Sequence, residues 1–519
     1  MHLFRSNLLF LVLFLLISLS VPAQQNSDCL VSVTFLHVND VYQFAPVDGG
    51  TRGGLARLLT LKKQLKEQNP NTIFTMGGDT ISPSVESRTY KGAQMIDAWN
   101  AVGIDYAVFG NHEFDVKTDV LLQRMKESKF QWLGANVFDK RAQKIFADTP
   151  PFVIREFEGV KVGIIGFLLP ETKQTSSMEE HLEVLDFCQT AKNFVPKMRE
   201  AGAKTIVGLT HLSMEQDKQL AKCADFDLIL GGHEHTLLQS SSNGTPIFKM
   251  TADARELGKF NLNINKKTGE VETMDWEIIP VTSKIADAPE FNEAVAKYNN
   301  LLQELAKPVG ETSETLDALS FSNRNKETNI GNFIADAYRK AVGADVALVN
   351  GGSVRADLTY NPGALTRRDV LSILPFNNPI LKVEVSGKLL REILEHGVAR
   401  SAEDNEPGRF PQISGMSFIF DVSRRSGNRV TEILVGGKPL DEKKNYTLAT
   451  SDFLVTRGGD GYVMFQNAKV LTKAEQAPKD SDALEKAITN SPNKTIAPKL
   501  ENRIVKIGQS GVKGKLSCP

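Results

Sequence analysis

Between Val31 and about Ile279, short β-branched apolar runs alternate with longer stretches in which apolar residues recur every three or four positions. The runs VSVTFLHV, TIFTMGGD, YAVFGN, KVGIIGF, KTIVGLTH and FDLILGGHEH have the length of buried strands, and most lead into Gly, Asn, Asp or His. The pattern predicts buried strands with polar residues on the loops at their C-terminal ends, where layered α/β folds place their chemistry. A charged stretch of helical period, SKIADAPEFNEAVAKYNNLLQELAK, follows and ends at Pro308. It reads as a helical linker over 283–308. Beyond it, helix patterns (NIGNFIADAYRKAVG, SGKLLREILEHGVARS) mix with strand patterns (DVALVNGG, MSFIFDV, YTLATSDF), which predicts a second α/β unit over 309–505 and a polar tail over 506–519.

The chain begins differently. Arg5 precedes an unbroken apolar run from Leu8 to Ile17, and Val21-Pro22-Ala23 supplies small residues for cleavage. This is the layout of a signal peptide over 1–23, with an apolar run short of the ~20 residues that span a bilayer. The expected mature protein is secreted or periplasmic, begins its first domain at 29 and runs to 282 within it, and has no membrane anchor. Composition narrows the partners. With 61 Lys+Arg against 62 Asp+Glu, the formal charge is −1, and no basic run marks the footprint of a nucleic-acid polymer. Four cysteines, without C-x-x-C spacing, exclude a disulfide scaffold and a zinc knuckle and leave any pairing open.

Histidine changes the picture most. Of the eight, five fall in HVNDVY (37–42), GNHEFD (110–115), LTHL (209–212) and GGHEH (231–235), and the Asp of GGD (77–79) joins them. Two divalent cations about 3.5–4 Å apart need a bridging carboxylate, neutral imidazoles and a few oxygen donors aimed at one cleft. Asp40 and Asp79 are the anionic donors, with Asp79 the natural bridge. His211, His233 and His235 are the imidazoles, and Asn111 offers a carbonyl oxygen. His112 is left free as an acid or an electrostatic group, with Asp115 placed to orient it. The other histidines read as bystanders: His37 as a hydrogen-bonded core residue, and His181 and His396 as solvent-facing on helix-like polar segments. Glu113 and Glu234 are either acceptors behind the ligands or plain solvated carboxylates.

These motifs together resemble the calcineurin-like metallophosphoesterases, with GNHEFD the most specific of them. The resemblance implies a four-layer phosphoesterase domain. It places a first metal on Asp40, Asp79 and His235 and a second on Asp79, Asn111, His211 and His233, with His112 and Asp115 as the catalytic pair. The implied reaction is in-line attack of a metal-bound hydroxide on phosphorus. One position departs: where the family has D-x-H, this chain has Asp40-Val41-Tyr42. Tyr42 is open to three readings, as a phenolate ligand, as a side chain swung aside for water, or as the mark of a weaker first site.

The second half carries SFSNRNKETNIGNFIADA, LVNGGSVRADL, LSILPFNNPI, GRFPQISGMSF and TSDFLVTRGGDGY, in an order that resembles the C-terminal domain of the 5′-nucleotidases. By that resemblance Phe376 and Phe453 sandwich a nucleobase, Arg324, Arg355 and Asn350 hold the phosphate or ribose end, and Asp460 takes ribose hydroxyls. Phe410 reads as core. A second departure is Leu-Val-Thr-Arg between Phe453 and GGDG, one residue longer than the family spacing, with Arg457 as the extra group. The expected function is a secreted two-metal phosphohydrolase, using Zn, Mn or similar ions, that removes phosphate from nucleotides. The alternatives are a 2′,3′-cyclic nucleotide phosphodiesterase, a nucleoside di- or triphosphatase, a UDP-sugar diphosphatase, and a nucleotide-binding protein with an impaired first metal site.

Overall fold

A computed structural model describes residues 29–298, 304–401, 408–472 and 476–508. The expected signal peptide and all but the first three residues of the expected tail lie outside the described residues. Two six-stranded sheets form the first half. One runs Val271–Pro280, Glu256–Asn265, Leu30–Val38, Thr72–Met76, Tyr106–Val108 and Gln131–Leu133 in spatial order; the other runs Leu238–Ser242, Thr245–Lys249, Leu228–Gly231, Thr205–His211, Val160–Leu168 and Phe152–Phe157. Alternation along the strands explains the stacking: Val31, Val33, Phe35, Ile73 and Val108 of the first sheet pack on Val162, Ile164, Val207, Leu209 and Leu230 of the second. The opposite faces, with Leu36, Phe74, Ile165 and Ile206, lie against helices that include Leu55–Gln68, Ala93–Val102, Phe187–Glu200 and Met214–Cys223. The result is helix, sheet, sheet, helix, the four-layer arrangement expected.

Parallel pairing in the centre of each sheet aims several strand ends the same way. Leu30–Val38, Thr72–Met76 and Tyr106–Val108 pair in parallel in one sheet, and Thr205–His211 pairs in parallel with both neighbours in the other. Their C-terminal loops are the histidine- and aspartate-bearing motifs. A disulfide, Cys188–Cys223, joins the two helices outside the second sheet.

The second half contains a five-stranded sheet, Pro411–Ser414, Val346–Asn350, Asn445–Ser451, Ile380–Ser386 and Lys469–Val470, and a four-stranded one that ends on Ile504–Ile507. That last strand runs two residues past the expected domain end at 505. The expected linker is helical over Pro289–Val295 and turns on Ala296–Tyr298; residues 299–303 lie outside the described residues. Phe291, Val295 and Tyr298 are buried in the core of the first half, so this end of the linker is packed down. Between the halves, Val85, Leu305 and Leu371 form a small apolar cluster. Arginine hydrogen bonds also cross: Arg88 to Ser481, Arg368 to Glu86, Arg355 to Tyr42 and Arg457 to Ser177. Among the described residues, no helix is long and apolar enough to cross a membrane.

Candidate active site

Asp40 and Asp79 follow their strands in left-handed conformations, with φ of 53° and 61°, and His233 and His235 share that region at 90° and 57°. Non-glycine residues enter it rarely, so the surrounding packing must hold these turns in place. Glu113 does this for Asp79. Its buried carboxylate accepts the backbone N–H groups of Asp79 (2.8 Å), Thr80 (2.7 Å), Ile81 (3.1 Å) and Gly110 (2.6 Å). Burial and the Asp79 charge push its carboxyl up to about 7. Gly110 has to be glycine because a Cβ there would collide with Asp79 Oδ1. On the other sheet, Glu234 accepts the Met214 N–H (2.5 Å) and pairs with Lys249 (2.5 Å). Both glutamates are thus acceptors behind the candidate ligands, which settles the alternative left open by the sequence.

Asp40, Asp79 and His211 are all buried, and one potential ligand atom from each lies within 4.8 Å of the others. Asp79 Oδ2 is 3.4 Å from His211 Nε2, and Asp40 Oδ1 is 3.4 Å from His235 Nε2. The His211 and His233 rings are 5.2 Å apart. Two buried atoms here, Asn111 Oδ1 and His211 Nε2, lack a hydrogen-bond partner, which is the state of groups shaped to bind something else. Burial alone would depress the His211 imidazole, yet Asp79 and Asp40 raise it to about 10, so the pocket strongly favours positive charge. Burial holds His233 well below its ordinary value, as a neutral donor. Carboxylates, neutral imidazole and an amide oxygen around a point that favours cations fit divalent metal ions.

Tyr42 is not swung aside. Its hydroxyl is 3.0 Å from Asp79 Oδ2, 2.9 Å from His235 Nε2 and 3.4 Å from Asp40 Oδ1, and it accepts from Arg355 at 3.0 Å. Burial, with Asp79 beside it, holds the phenol proton on well above the usual range. His112 is buried near this group, with Nδ1 2.7 Å from Asp115 Oδ2 and Nε2 4.0 Å from Asp79. Ser82 Oγ donates to the same Asp115 oxygen at 3.0 Å. That carboxylate orients the ring so that Nε2 faces the cleft.

The cleft, about 350 Å³, is bounded by both halves. Phe376 and Phe453 are half-buried in its wall, as are Arg324 and Arg355. The Phe376 ring lies 5.8 Å from that of His112, and the Arg355 guanidinium sits over both Tyr42 (5.3 Å) and Phe376 (5.9 Å). Asn350 Nδ2 donates to Asp460 Oδ2 at 2.6 Å, and burial raises the Asp460 carboxyl. Arg457 reaches across to Ser177 of the first half. All six expected substrate-side residues therefore face the opening that His112, Asp79 and Asn111 line.

Among the remaining expectations, His37 is buried and bonded to Thr75 (3.0 Å) and the Gly231 carbonyl (3.0 Å), and Phe410 is core. His181 and His396 depart from the expected solvent exposure. His181 is buried at 9% exposure in the turn before Leu182–Val184, with its carbonyl accepting the Lys140 N–H. His396 is half-buried on Gly387–Gly397, where Nε2 bonds the Asp460 carbonyl (2.9 Å) and the ring packs against Tyr462. Charged neighbours in sequence make both look exposed; contacts distant in sequence cover them. Lys249 carries no signal in the sequence at all, since a lone lysine at the end of a strand reads as solvated.

The chain is similar to known proteins. A family model for the calcineurin-like phosphoesterases matches residues 33–237, and one for the 5′-nucleotidase C-terminal domain matches 308–467. A trifunctional nucleotide phosphoesterase of Bacillus subtilis is 29% identical over 92% of this chain, which spans 35% of that protein's length. The 5′-nucleotidase of Bos taurus is 28% identical over 91% of this chain and 90% of its own. The crystal structure of a 5′-nucleotidase precursor from Thermus thermophilus matches with a TM-score of 0.85 at 25% identity, covering 92% of this chain and all of that one. The chain is therefore a metal-dependent phosphoester hydrolase, a calcineurin-like phosphoesterase domain followed by a 5′-nucleotidase C-terminal domain, and it resembles the 5′-nucleotidase family over nearly its whole described length.

Proposed function

We propose that the protein is a secreted or periplasmic hydrolase that removes phosphate from nucleoside 5′-monophosphates. Its catalytic unit spans 29–282, its linker 283–308 and its nucleotide-binding unit 309–505. The observation that carries this reading is the shared cleft: the aromatic and arginine side chains of the second half open onto the space lined by His112, Asp79 and Asn111. The first of two cations would be held by Asp40, Asp79 and His235, with the Tyr42 hydroxyl against them, and the second by Asp79, Asn111, His211 and His233. Lewis-acid polarisation of the phosphoryl group and activation of the attacking water are what divalent cations supply when bound.

The chain's own groups do the rest. Arg324 and Arg355 neutralise and orient the phosphate, and Asn350 and Asp460 hold the sugar hydroxyls. Phe376 and Phe453 stack on the base. His112, fixed through Nδ1 by Asp115, offers Nε2–H to the leaving 5′-oxygen. The Cys188–Cys223 disulfide supports an oxidising compartment, in agreement with the N-terminal layout. A second reading, a nucleotide phosphoesterase of broader range, is favoured by the trifunctional relative, and 2′,3′-cyclic nucleotides are the further substrates to try. Phosphate release from AMP, ADP, ATP, 2′,3′-cyclic AMP and UDP-glucose, with added Mn or Zn, separates the two. Turnover of AMP above the others supports the 5′-nucleotidase, and cleavage of the cyclic nucleotide with AMP untouched refutes it.

A further inference from the structure

The two aromatic residues of the proposed base slot are on separate elements. Phe376 is on the loop between Arg367–Ile373 and Ile380–Ser386, and Phe453 is on the helix Asp452–Arg457. A base fits between two such faces only if their separation is held, because a ring-to-ring stack tolerates little error in distance. Nothing in either aromatic side chain fixes that separation. The segment Asn378–Ile380 lies between their two carriers and is hydrogen-bonded to both sides.

The contacts of this segment converge on one buried acid. Asp480, 1% exposed at the start of the helix Asp480–Thr489, accepts the Asn378 N–H through Oδ2 at 3.0 Å and returns its own N–H to the Asn378 carbonyl at 3.0 Å. Its Oδ1 accepts the Ser481 N–H at 2.6 Å. Just beyond, Ile380 donates to the Pro478 carbonyl (2.8 Å), and the Pro379 carbonyl accepts the N–H of Asp452, the residue before Phe453, at 2.9 Å. One short run of backbone thus connects the Phe376 loop to the Phe453 helix, with the Asp480 carboxylate pinning its Asn378 end. The first half of the chain touches the same point: Arg88, which lines the cleft, donates to Ser481 Oγ at 3.2 Å. Nothing in the proposed chemistry uses Asp480, and a buried carboxylate without a task is costly to keep.

We propose that Asp480 is a positioning residue that sets the width of the nucleobase slot, with the Arg88–Ser481 bond referring that slot to the metal-bearing half. The inference rests on the base-stacking reading of Phe376 and Phe453. Asp480 touches neither base nor phosphate, so its effect is confined to substrates that use the slot.

The test compares AMP with ribose 5-phosphate, which presents the phosphate and sugar without an aromatic ring, on the metal-loaded full chain. Asp480→Ala is expected to raise KM for AMP about tenfold with kcat little changed, while kcat/KM for ribose 5-phosphate stays within about twofold, the order expected when a supporting contact is lost. Equal losses on both substrates, or no change in KM for AMP, overturn the proposal. Phe453→Ala, run alongside, separates this failure from that of the underlying reading: if Phe453→Ala raises KM for AMP and Asp480→Ala does not, only the positioning role is wrong, and if neither does, the slot itself is. Should Asp480→Ala fail to fold, Asp480→Asn decides, because it keeps one acceptor oxygen where two N–H groups meet. The same split between substrates, at smaller amplitude, supports the proposal, and its absence overturns it.

Discussion

Replacing Lys249 by methionine should damage metal binding without touching a candidate ligand. Lys249 is 1% exposed, and its ammonium donates to the Leu212 carbonyl (2.5 Å), the Gly232 carbonyl (2.8 Å) and Glu234 Oε2 (2.5 Å), with Asp217 Oδ2 at 2.9 Å. Leu212 follows His211, Gly232 precedes His233, and Glu234 lies between His233 and His235, so one cation ties down every loop that carries a candidate imidazole ligand. Its ammonium is paired with two carboxylates, Asp217 and Glu234, which are buried with it. Methionine fills a similar volume but strands both acids. Breaking a buried ion pair on one side costs about 3–5 kcal/mol. In a domain of this size that lowers Tm by roughly 6–20 °C. Glu234 keeps its bond from Met214 and Asp217 keeps its bond from Thr210 Oγ1 (2.7 Å), which places the result toward the lower end. Loss of a group that orients ligands weakens metal affinity about 10–100-fold. Calorimetric unfolding of the metal-free protein reads the first effect, and competition of Zn or Mn with a chelating dye reads the second. A triple variant that also carries Asp217→Asn and Glu234→Gln should recover much of the stability, since no charge is left stranded. Wild-type metal affinity in a folded Lys249→Met variant refutes the reasoning.

His112→Ala should lower kcat for AMP by about 10²–10⁴. Metal content by elemental analysis should stay at the wild-type level, since the ring is not among the proposed ligands; loss of metal instead would make it one. Stability should also depend on pH through Asp480. Burial raises its carboxyl from the ordinary 3.8 to about 7, against its N–H donors and Arg88 and with Asp452 adding to the rise. The folded state therefore holds a proton that the unfolded chain has released. This contribution to stability is full below about pH 4 and is lost as pH rises to about 7. Urea unfolding from pH 4 to 8 should decline less steeply in Asp480→Asn than in wild type, and equal slopes would exclude the linkage.

What the sequence made legible follows from how the site is built. Asp40, Asp79, Asn111, His112, His211, His233 and His235 stand at or just past strand ends, so strand periodicity and the short motifs were enough to bring them to one side of the sheets. Phe376, Phe453 and Arg355 came through their own motifs. The supporting groups were less legible for the opposite reason. Glu113 could be an acceptor or a solvated carboxylate on the sequence alone, because three of its four N–H donors, Asp79, Thr80 and Ile81, lie on another loop and only Gly110 shares its motif. Lys249 and Asp480 act on residues that are distant in sequence or held through backbone atoms, which leave no mark on residue identity. His181 and His396 show the same limit from the other side, because polar neighbours in the chain say little about what a fold lays over them.

Under the proposed function, the position of Arg355 explains how a chain of formal charge −1 would receive a dianionic phosphate. A basic surface would attract polyanions without discrimination. Here the guanidinium is held over the Tyr42 and Phe376 rings, and it donates to the Tyr42 hydroxyl, itself 3.0 Å from Asp79. The Tyr42 phenol oxygen touches the candidate metal ligands Asp79 and His235 on one side and Arg355 of the second half on the other. A histidine at 42 would lack the phenol oxygen that accepts this bond. The departure at Tyr42 therefore reads as a coupling between the cation pocket and the arginine, built into the contact between the two halves.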